Sequence, residues 1–414
     1  MDLLELTVIA GIFFGFSIIS KRIDGGFLTA PMIFVFAGYV AGQLILQSLG
    51  QSFSEGAIHF LAEITLVLVL AADASGISLK SLSKFRTLPI RLLAIGLPLT
   101  ILLGTLIGHG LFPEQGWLFA ALVAAILAPT DAALGASVVS NKEIPIQVRQ
   151  GLNVESGLND GIALPAVLFF ACFFNLSHQT GETNWIVFLS LQVTLGPLIG
   201  IAGGWLGGQL IALAAQRAWI EEHMQGVAAM ALAILSFAIA EQVGGNGFIA
   251  AFVCGLTYGN LNVKYSHFLH EFTETESQIL TYLTFFLFGL TILPHAFEHA
   301  TPIIYLYGFL SLTLVRMLPV IISQIGTGFR WPSVLFLGWF GPRGLASLLF
   351  ALLVLEDLDV HLATEIQTIV SVTVLLSVIL HGVSAGILGR GYAKWAKTNT
   401  TVNCPENKLP TEET

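Results

Sequence analysis

Within the apolar surroundings of residues 151–176, the stretch "VESGLND" (154–160) carries four oxygen-bearing side chains. At helical spacing Ser156 and Asp160 share one face, and Glu155 and Asn159 share the adjacent one. A hydroxyl and a carboxylate four residues apart suit a small hard cation, which takes oxygen ligands and sheds little of its hydration without them. A second stretch, "LAPTDAALG" (127–135), sets Pro129 directly before Thr130 and Asp131, so Thr130 offers either its hydroxyl or a carbonyl freed by the helix break. At membrane depth, desolvation disfavours the charged form of a carboxylate. Asp160 can then hold a proton near neutral pH and release it to a cation, and because both ligands compete for one group, binding either expels the other.

The elements that must position these residues are membrane helices. Of the 414 residues 55% are hydrophobic and 10% charged, and the mean hydropathy is +0.82, which excludes a water-soluble globule. Thirteen apolar runs come near the length of a bilayer span: 3–20, 27–48, 57–75, 88–111, 117–139, 151–176, 184–214, 224–243, 246–260, 274–296, 302–323, 332–354 and 364–388. Apart from Arg316 and Arg343, which sit inside predicted spans, the cations fall in the odd-numbered connections and the tail: Lys21 and Arg22; Lys80, Lys84, Arg86 and Arg91; Lys142 and Arg149; Arg217; Lys264; Arg330; then Arg390, Lys394, Lys397 and Lys408. This alternation predicts the N-terminus outside and the C-terminus in the cytoplasm. The first apolar run has acids before it and cations after it, the reverse of a secretory signal, so it is expected to be a retained helix. Cys172, Cys254 and Cys404 lack the spacing of a disulfide framework or a zinc site. The net charge of −9 comes largely from short loops and the tail, and no nucleic-acid partner is expected. Residues 1–397 read as one transmembrane domain, and 398–414 as a short disordered cytoplasmic tail.

Most glycines in such a chain serve helix packing, and "GIAGGWLGG" (200–208) is read that way. Two sites differ. Segment 5 carries Pro129 with Asp131, and segment 12 carries Gly341, Pro342 and Gly344 around Arg343 in "GWFGPRGLAS". Each joins a helix breaker to a charge at mid-membrane depth. If segments 1–6 and 8–13 form two halves, both breaks are fifth in their half, and the odd offset of seven inserts the halves in opposite orientation. This is the inverted-repeat pattern with two crossed discontinuous helices. Ordinary proline kinks would leave the charges unexplained. Asp131 is expected to offset the positive N-terminal ends of half-helices, and Arg343 the negative ends in segment 12. Glu155 is expected to need a basic partner, and Arg316 and Arg343 are the two cations inside spans. Asp73, near the cytoplasmic end of segment 3, either extends the ion path or meets water at a helix end. Glu63, Glu241, His59, His109, His267 and His381 are placed near predicted ends as solvated or interfacial groups.

These residues also resemble a known family. "APTDAALGASVV", "VRQGLNVESGLNDGIALP", "FFLFG", "VRMLPV" and "GWFGPRGLAS" occur in the order of the monovalent cation:proton antiporters, which include NhaP-type and eukaryotic sodium/proton exchangers. The resemblance implies 13 transmembrane helices, a homodimer, and a core domain (helices 5, 6 and 12) moving against a dimerisation domain. It implies Thr130 and Asp131 as the Thr-Asp motif, Asn159 and Asp160 as the Asn-Asp motif, and Ser156 and Asp73 among the ligands of Na+. It also implies Glu155 with Arg316 as an acid–arginine pair. The Asn-Asp branch is generally electroneutral, which implies one proton per cation. No cofactor is implied beyond the transported ions, and pH homeostasis in a bacterial inner membrane is the expected setting. Na+ is the first choice of cation, with Li+ or K+ as alternatives, a K+-selective antiporter or a cation channel being the competing readings. An enzyme is not expected: "GLND" is not the Gly-x-Gly-Asp context of an intramembrane aspartyl protease, and no His lies mid-span near Ser156 to serve as a base.

Overall fold

Inside a bilayer no water satisfies the peptide groups, so each apolar run has to close its own hydrogen bonds as helix. The computed structural model describes residues 3–23, 28–49, 55–77, 79–80, 87–131, 134–176, 185–261, 278–355, 358–400 and 404–407, and among these no strand occurs. The helices are α1 (Leu3–Ile23), α2 (Ala30–Leu49), α3 (Glu55–Ser75), α4 (Thr87–Leu111), α5a (Gly116–Ile126), α5b (Ala136–Val139), α6 (Ile146–Leu176) and α7 (Trp185–Gln216). They continue with α8 (Glu222–Gln242), α9 (Gly247–Leu261), α10 (Gln278–His299), α11 (Pro302–Ser323), α12a (Trp331–Trp339), α12b (Leu345–Leu355) and α13 (Val360–Asn399). Helix therefore lies on all 13 apolar segments. Among the described residues seven helical runs are long and apolar enough to cross a membrane, and the full count of 13 crossings stays an expectation of the sequence.

The chain divides into two units. The first comprises residues 1–59, 85–156 and 282–414. In it α2 lies close on α10, where a Cβ at Gly38 would run into the Phe286 carbonyl and one at Gly289 into the Val35 carbonyl. A buried apolar core of Leu88, Leu92, Val148, Leu152, Val320, Phe336, Phe340 and Tyr392 ties α4, the start of α6, α11, α12a and α13 together. Phe336 stacks on Tyr392 with ring centroids 4.1 Å apart.

The second unit comprises residues 60–84 and 157–281. Here α7 lies on the backbone of α9: a Cβ at Gly200 would sit 2.5 Å from the Ala250 carbonyl oxygen, and one at Gly204 2.6 Å from that of Cys254. The glycine run read as a packing surface serves as one. At the other edge Asn260 of α9 accepts the Leu79 N–H (2.8 Å) and donates to the Ile77 carbonyl (2.9 Å), which closes the end of α3.

The structure departs from the sequence expectation at the tail. Helix α13 continues to Asn399, and Pro405–Asn407 form a packed 3-10 turn. Glu406 is fully buried; its Oε1 accepts the Arg330 N–H (2.9 Å) and the Ser333 hydroxyl (3.0 Å), while Tyr392 donates to Ser333 Oγ (2.9 Å). The first turn of α12a has N–H groups without intrahelical acceptors and a positive end, and Glu406 supplies the acceptor and the charge. The tail is therefore ordered at these residues. Residues 401–403 and 408–414 lie outside the described residues, as do Lys84, Arg86, Lys264 and His267.

The polar residues assigned to helix ends differ among themselves. Glu241 is exposed and accepts the Gly247 N–H (2.7 Å) at the start of α9. Glu63 is half-buried, and His109 is half-buried against Trp117 with ring centroids 3.9 Å apart. The side chain of His59 lies outside the described residues. His381 contradicts its assignment. It is fully buried in α13, where Nε2 faces the Trp339 carbonyl of α12a and Nδ1 the Ser377 hydroxyl, so it needs no water.

Candidate functional site

Helix α5a stops at Ile126 because Pro129 has no N–H to continue the ladder and disfavours helical geometry at Ala128. The carbonyls released by this break do not stay bare. Arg343 Nη1 donates to the Ala128 oxygen (2.6 Å) and to the Pro129 oxygen (3.2 Å), and the Ser156 hydroxyl donates to the Thr130 oxygen (2.6 Å). The second break lies between Trp339 and Leu345. There the Pro342 carbonyl accepts the Asp131 N–H (2.8 Å), and Asp131 Oδ2 accepts the N–H of Leu345 at the start of α12b (2.8 Å). Each interrupted helix thus supplies what the other lacks: an acid at an N-terminal end and a cation at a C-terminal end.

Asp131 meets a half-helix N-terminus as expected, whereas Arg343 does not serve the segment it belongs to. Its guanidinium reaches the C-terminal carbonyls of segment 5, while the Trp339 carbonyl that ends α12a faces His381 Nε2 (2.9 Å). The close approach explains two glycines. A Cβ at Gly344 would fall on the Asp131 carboxylate, and one at Gly341 on the Arg316 guanidinium.

On α6 Glu155 meets Arg316 of α11 through two parallel bonds, Nη1 to Oε1 at 2.5 Å and Nη2 to Oε2 at 2.8 Å. Each residue is 3% exposed, so neither charge has water to fall back on. A bidentate, charge-assisted pair is the arrangement that makes such burial tolerable. Thr130, Ser156 and Arg343 are buried beside it, and Asp131 is half-buried. Thr130, Asp131, Ser156 and Leu152 line a small cavity with Val138 and Phe340.

Helix α6 runs unbroken from Ile146 to Leu176, so Asp160 stands one turn beyond Ser156 on the same face. Asn159 and Asp160 belong to the second unit, and both are buried. Within that unit α3 packs on the same turn of α6: a Cβ at Gly157 would lie 3.1 Å from Ile77 Cδ1 and 3.7 Å from the Asp73 carbonyl oxygen. The Asp73 side chain itself is exposed. Within the first unit the cavity is lined by Thr130, Ser156 and Asp131, whose hydroxyl and carboxylate oxygens are of the kind a hard cation takes. Among the described residues no cluster of three His, Cys, Asp or Glu side chains suits a transition metal.

Sequence reasoning passed over Ser377 and assigned His381 to a helix end, whereas both stand behind the second break. Arg343 N–H donates to Ser377 Oγ (2.7 Å), and His381 lies one turn further along α13. Two polar residues four apart inside "SVTVLLSVILHG" were the available signal.

A family model described as sodium/hydrogen exchanger, transmembrane, matches residues 6–391. The chain is 26% identical over 427 residues to the K(+)/H(+) antiporter NhaP of Alkalimonas amylolytica, covering 99% of the chain and 70% of that protein. It is 28% identical over 311 residues to the Na(+)/H(+) antiporter of Schizosaccharomyces pombe, covering 68% of the chain and 66% of the relative. The solved structure of the sodium proton antiporter MjNhaP1 from Methanocaldococcus jannaschii at pH 8 shares the fold, with a TM-score of 0.72 at 19% identity over 94% of this chain and 97% of that one. An all-helical fold with two abutting helix breaks, matched by the family model from the first helix to the last, places this membrane protein in the sodium/hydrogen exchanger family.

Proposed function

We propose that the protein is a secondary active transporter, not an enzyme, that exchanges a monovalent cation for a proton by alternating access, one for one. The observation that carries this reading is the pairing on α6. Ser156, held by the carbonyl of the first break, stands one helical turn before the buried carboxylate of Asp160. In this reading Asp160 is the carrier. It holds a proton facing one side of the membrane, and a cation arriving with Ser156, the Thr130 carbonyl and Asp73 as further ligands displaces that proton. Asn159 beside it stays neutral throughout, so each half-cycle carries one positive charge. Asp131, Arg343, Glu155 and Arg316 then hold the breaks and the buried charges in place without binding the cargo.

Residues 1–397 would comprise the core (segments 5, 6 and 12) and a dimerisation part interleaved with it. Two copies would form the working dimer in a bacterial inner membrane, surrounded by lipid, with the N-terminus outside and the C-terminus in the cytoplasm. Cation export against proton entry would then serve pH homeostasis.

Na+ is the first choice of cation and Li+ and K+ are the alternatives, the oxygen ligands suiting all three. A K+ preference is favoured by the relative named K(+)/H(+) antiporter. The test is proton movement in proteoliposomes on addition of NaCl, LiCl, KCl or choline chloride. The reading predicts rapid proton release from the vesicle lumen with Na+ and none with choline. A response to K+ alone would install the second reading, and currents without coupled proton movement would replace exchange by a channel.

A further inference from the structure

We propose that His381 and Ser377 are positioning residues of the cation site, acting through Arg343 on the carbonyls of the first helix break. This inference rests on the reading of Thr130 and Ser156 as cation ligands.

In the linker Phe340–Gly344 the Phe340 N–H still closes on Phe336, the Gly341 N–H on the Trp339 carbonyl, and the Gly344 carbonyl accepts the Leu348 N–H, so the groups left over take their partners from outside the linker. Two of those contacts come from one turn of α13. Arg343 N–H donates to Ser377 Oγ (2.7 Å), and His381 Nε2 lies 2.9 Å from the Trp339 carbonyl oxygen. Both ring nitrogens face a carbonyl, which only accepts, so a neutral ring with its single proton serves one of them; with that proton on Nε2, toward Trp339, Nδ1 is an acceptor. Ser377 Oγ stands 3.2 Å from Nδ1, and the Ser377 carbonyl, one turn back on the helix, is 3.0 Å away. The hydroxyl can therefore give its proton to Nδ1 while its oxygen takes the Arg343 N–H. The result is a directed chain from Arg343 N–H to Ser377 to His381, and from His381 to Trp339. It spans the linker from its last helical carbonyl to the residue whose guanidinium enters the other break.

His381, Ser377 and Arg343 are each fully buried, so water does not substitute for any of these bonds. From Arg343 the path continues through Nη1 to the Ala128 and Pro129 oxygens, directly before Thr130, whose carbonyl holds Ser156. Arg343 Nε and Nη2 have no hydrogen-bond partner among the described residues. The direction of the guanidinium is thus fixed by Nη1 at one end and by its own backbone at the other. Loss of the Ser377–His381 clamp frees the backbone end. Outer partners that orient ligand groups in this way typically carry about 10- to 100-fold of affinity.

The test is the dependence of exchange on cation concentration in proteoliposomes for Ser377→Ala, His381→Ala, His381→Gln and the double Ser377→Ala/His381→Ala, with Ser156→Ala as the benchmark ligand variant. The expected result is a KM for the cation raised about tenfold in Ser377→Ala and His381→Ala, with a smaller change in maximal rate. The double variant should be no worse than the poorer single one, because the two residues act as a unit. His381→Gln should regain most of the affinity, since its amide can donate to the Trp339 carbonyl and accept from Ser377. If His381→Ala does not fold, Ser377→Ala, which removes one oxygen from a helix interior, decides the matter with the Gln variant. A wild-type KM in the clamp variants, with only a lower melting temperature, while Ser156→Ala raises KM, would overturn the positioning role. A wild-type KM in Ser156→Ala as well would remove the ligand reading and this inference with it.

Discussion

Asp160→Asn is expected to abolish cation–proton exchange while the protein still inserts and folds. The amide keeps the size and shape of the side chain at a buried position of α6, so packing around it changes little. It cannot release a proton at any accessible pH, and it offers a cation a neutral oxygen where the carboxylate offered a charge. Both halves of the cycle are lost together. The measurement is cation-driven proton movement in proteoliposomes, with insertion and folding checked by size-exclusion chromatography in detergent. Exchange persisting near the wild-type rate would remove Asp160 from the mechanism.

The second large effect concerns stability. Glu155→Ala and Arg316→Ala each leave one charge buried without the partner that now meets it through two bonds, which costs about 3–5 kcal/mol. The double change removes both charges and should recover part of the loss, since what remains is packing and cavity. Thermal unfolding in detergent of the four proteins, wild type included, gives the coupling directly. Strictly additive losses would show that the pair, for all its geometry, contributes no interaction. The Arg316 variants also vacate the space that the Gly341 backbone now approaches closely, so relaxation of the second break is a further reason for partial rather than full recovery.

The helices were legible in the sequence because a bilayer demands long apolar runs, and 13 such runs are where helix is found. Both breaks were legible too, since Pro129 and the Gly-Pro-Arg-Gly run are strong local punctuation. Partnership across the breaks was only half visible. Glu155 with Arg316 could be anticipated because few cations lie inside spans, but the destination of Arg343 could not. Its guanidinium had C-terminal carbonyls to choose from in its own segment and in segment 5, and a linear sequence does not say which are already taken. The Trp339 carbonyl is taken, by a histidine that hydropathy alone assigned to a helix end. Glu406 was hidden for a related reason. An acid in a polar tail carries no local sign that it will cap a helix 76 residues earlier in the chain.

The central claim is that one carboxylate, alternating between proton and cation, carries the exchange. Asn159 contributes no charge, so one positive charge should move each way per cycle and the net charge transferred should be zero. A single elementary charge crossing a potential of about −100 mV would involve about 2.3 kcal/mol, enough to alter turnover visibly if net charge crossed. Exchange should therefore be measured in one vesicle preparation with the potential clamped by valinomycin, first at about 0 mV and then at about −100 mV. Equal rates are the predicted result, and a several-fold difference between the two potentials would contradict the single-carboxylate mechanism.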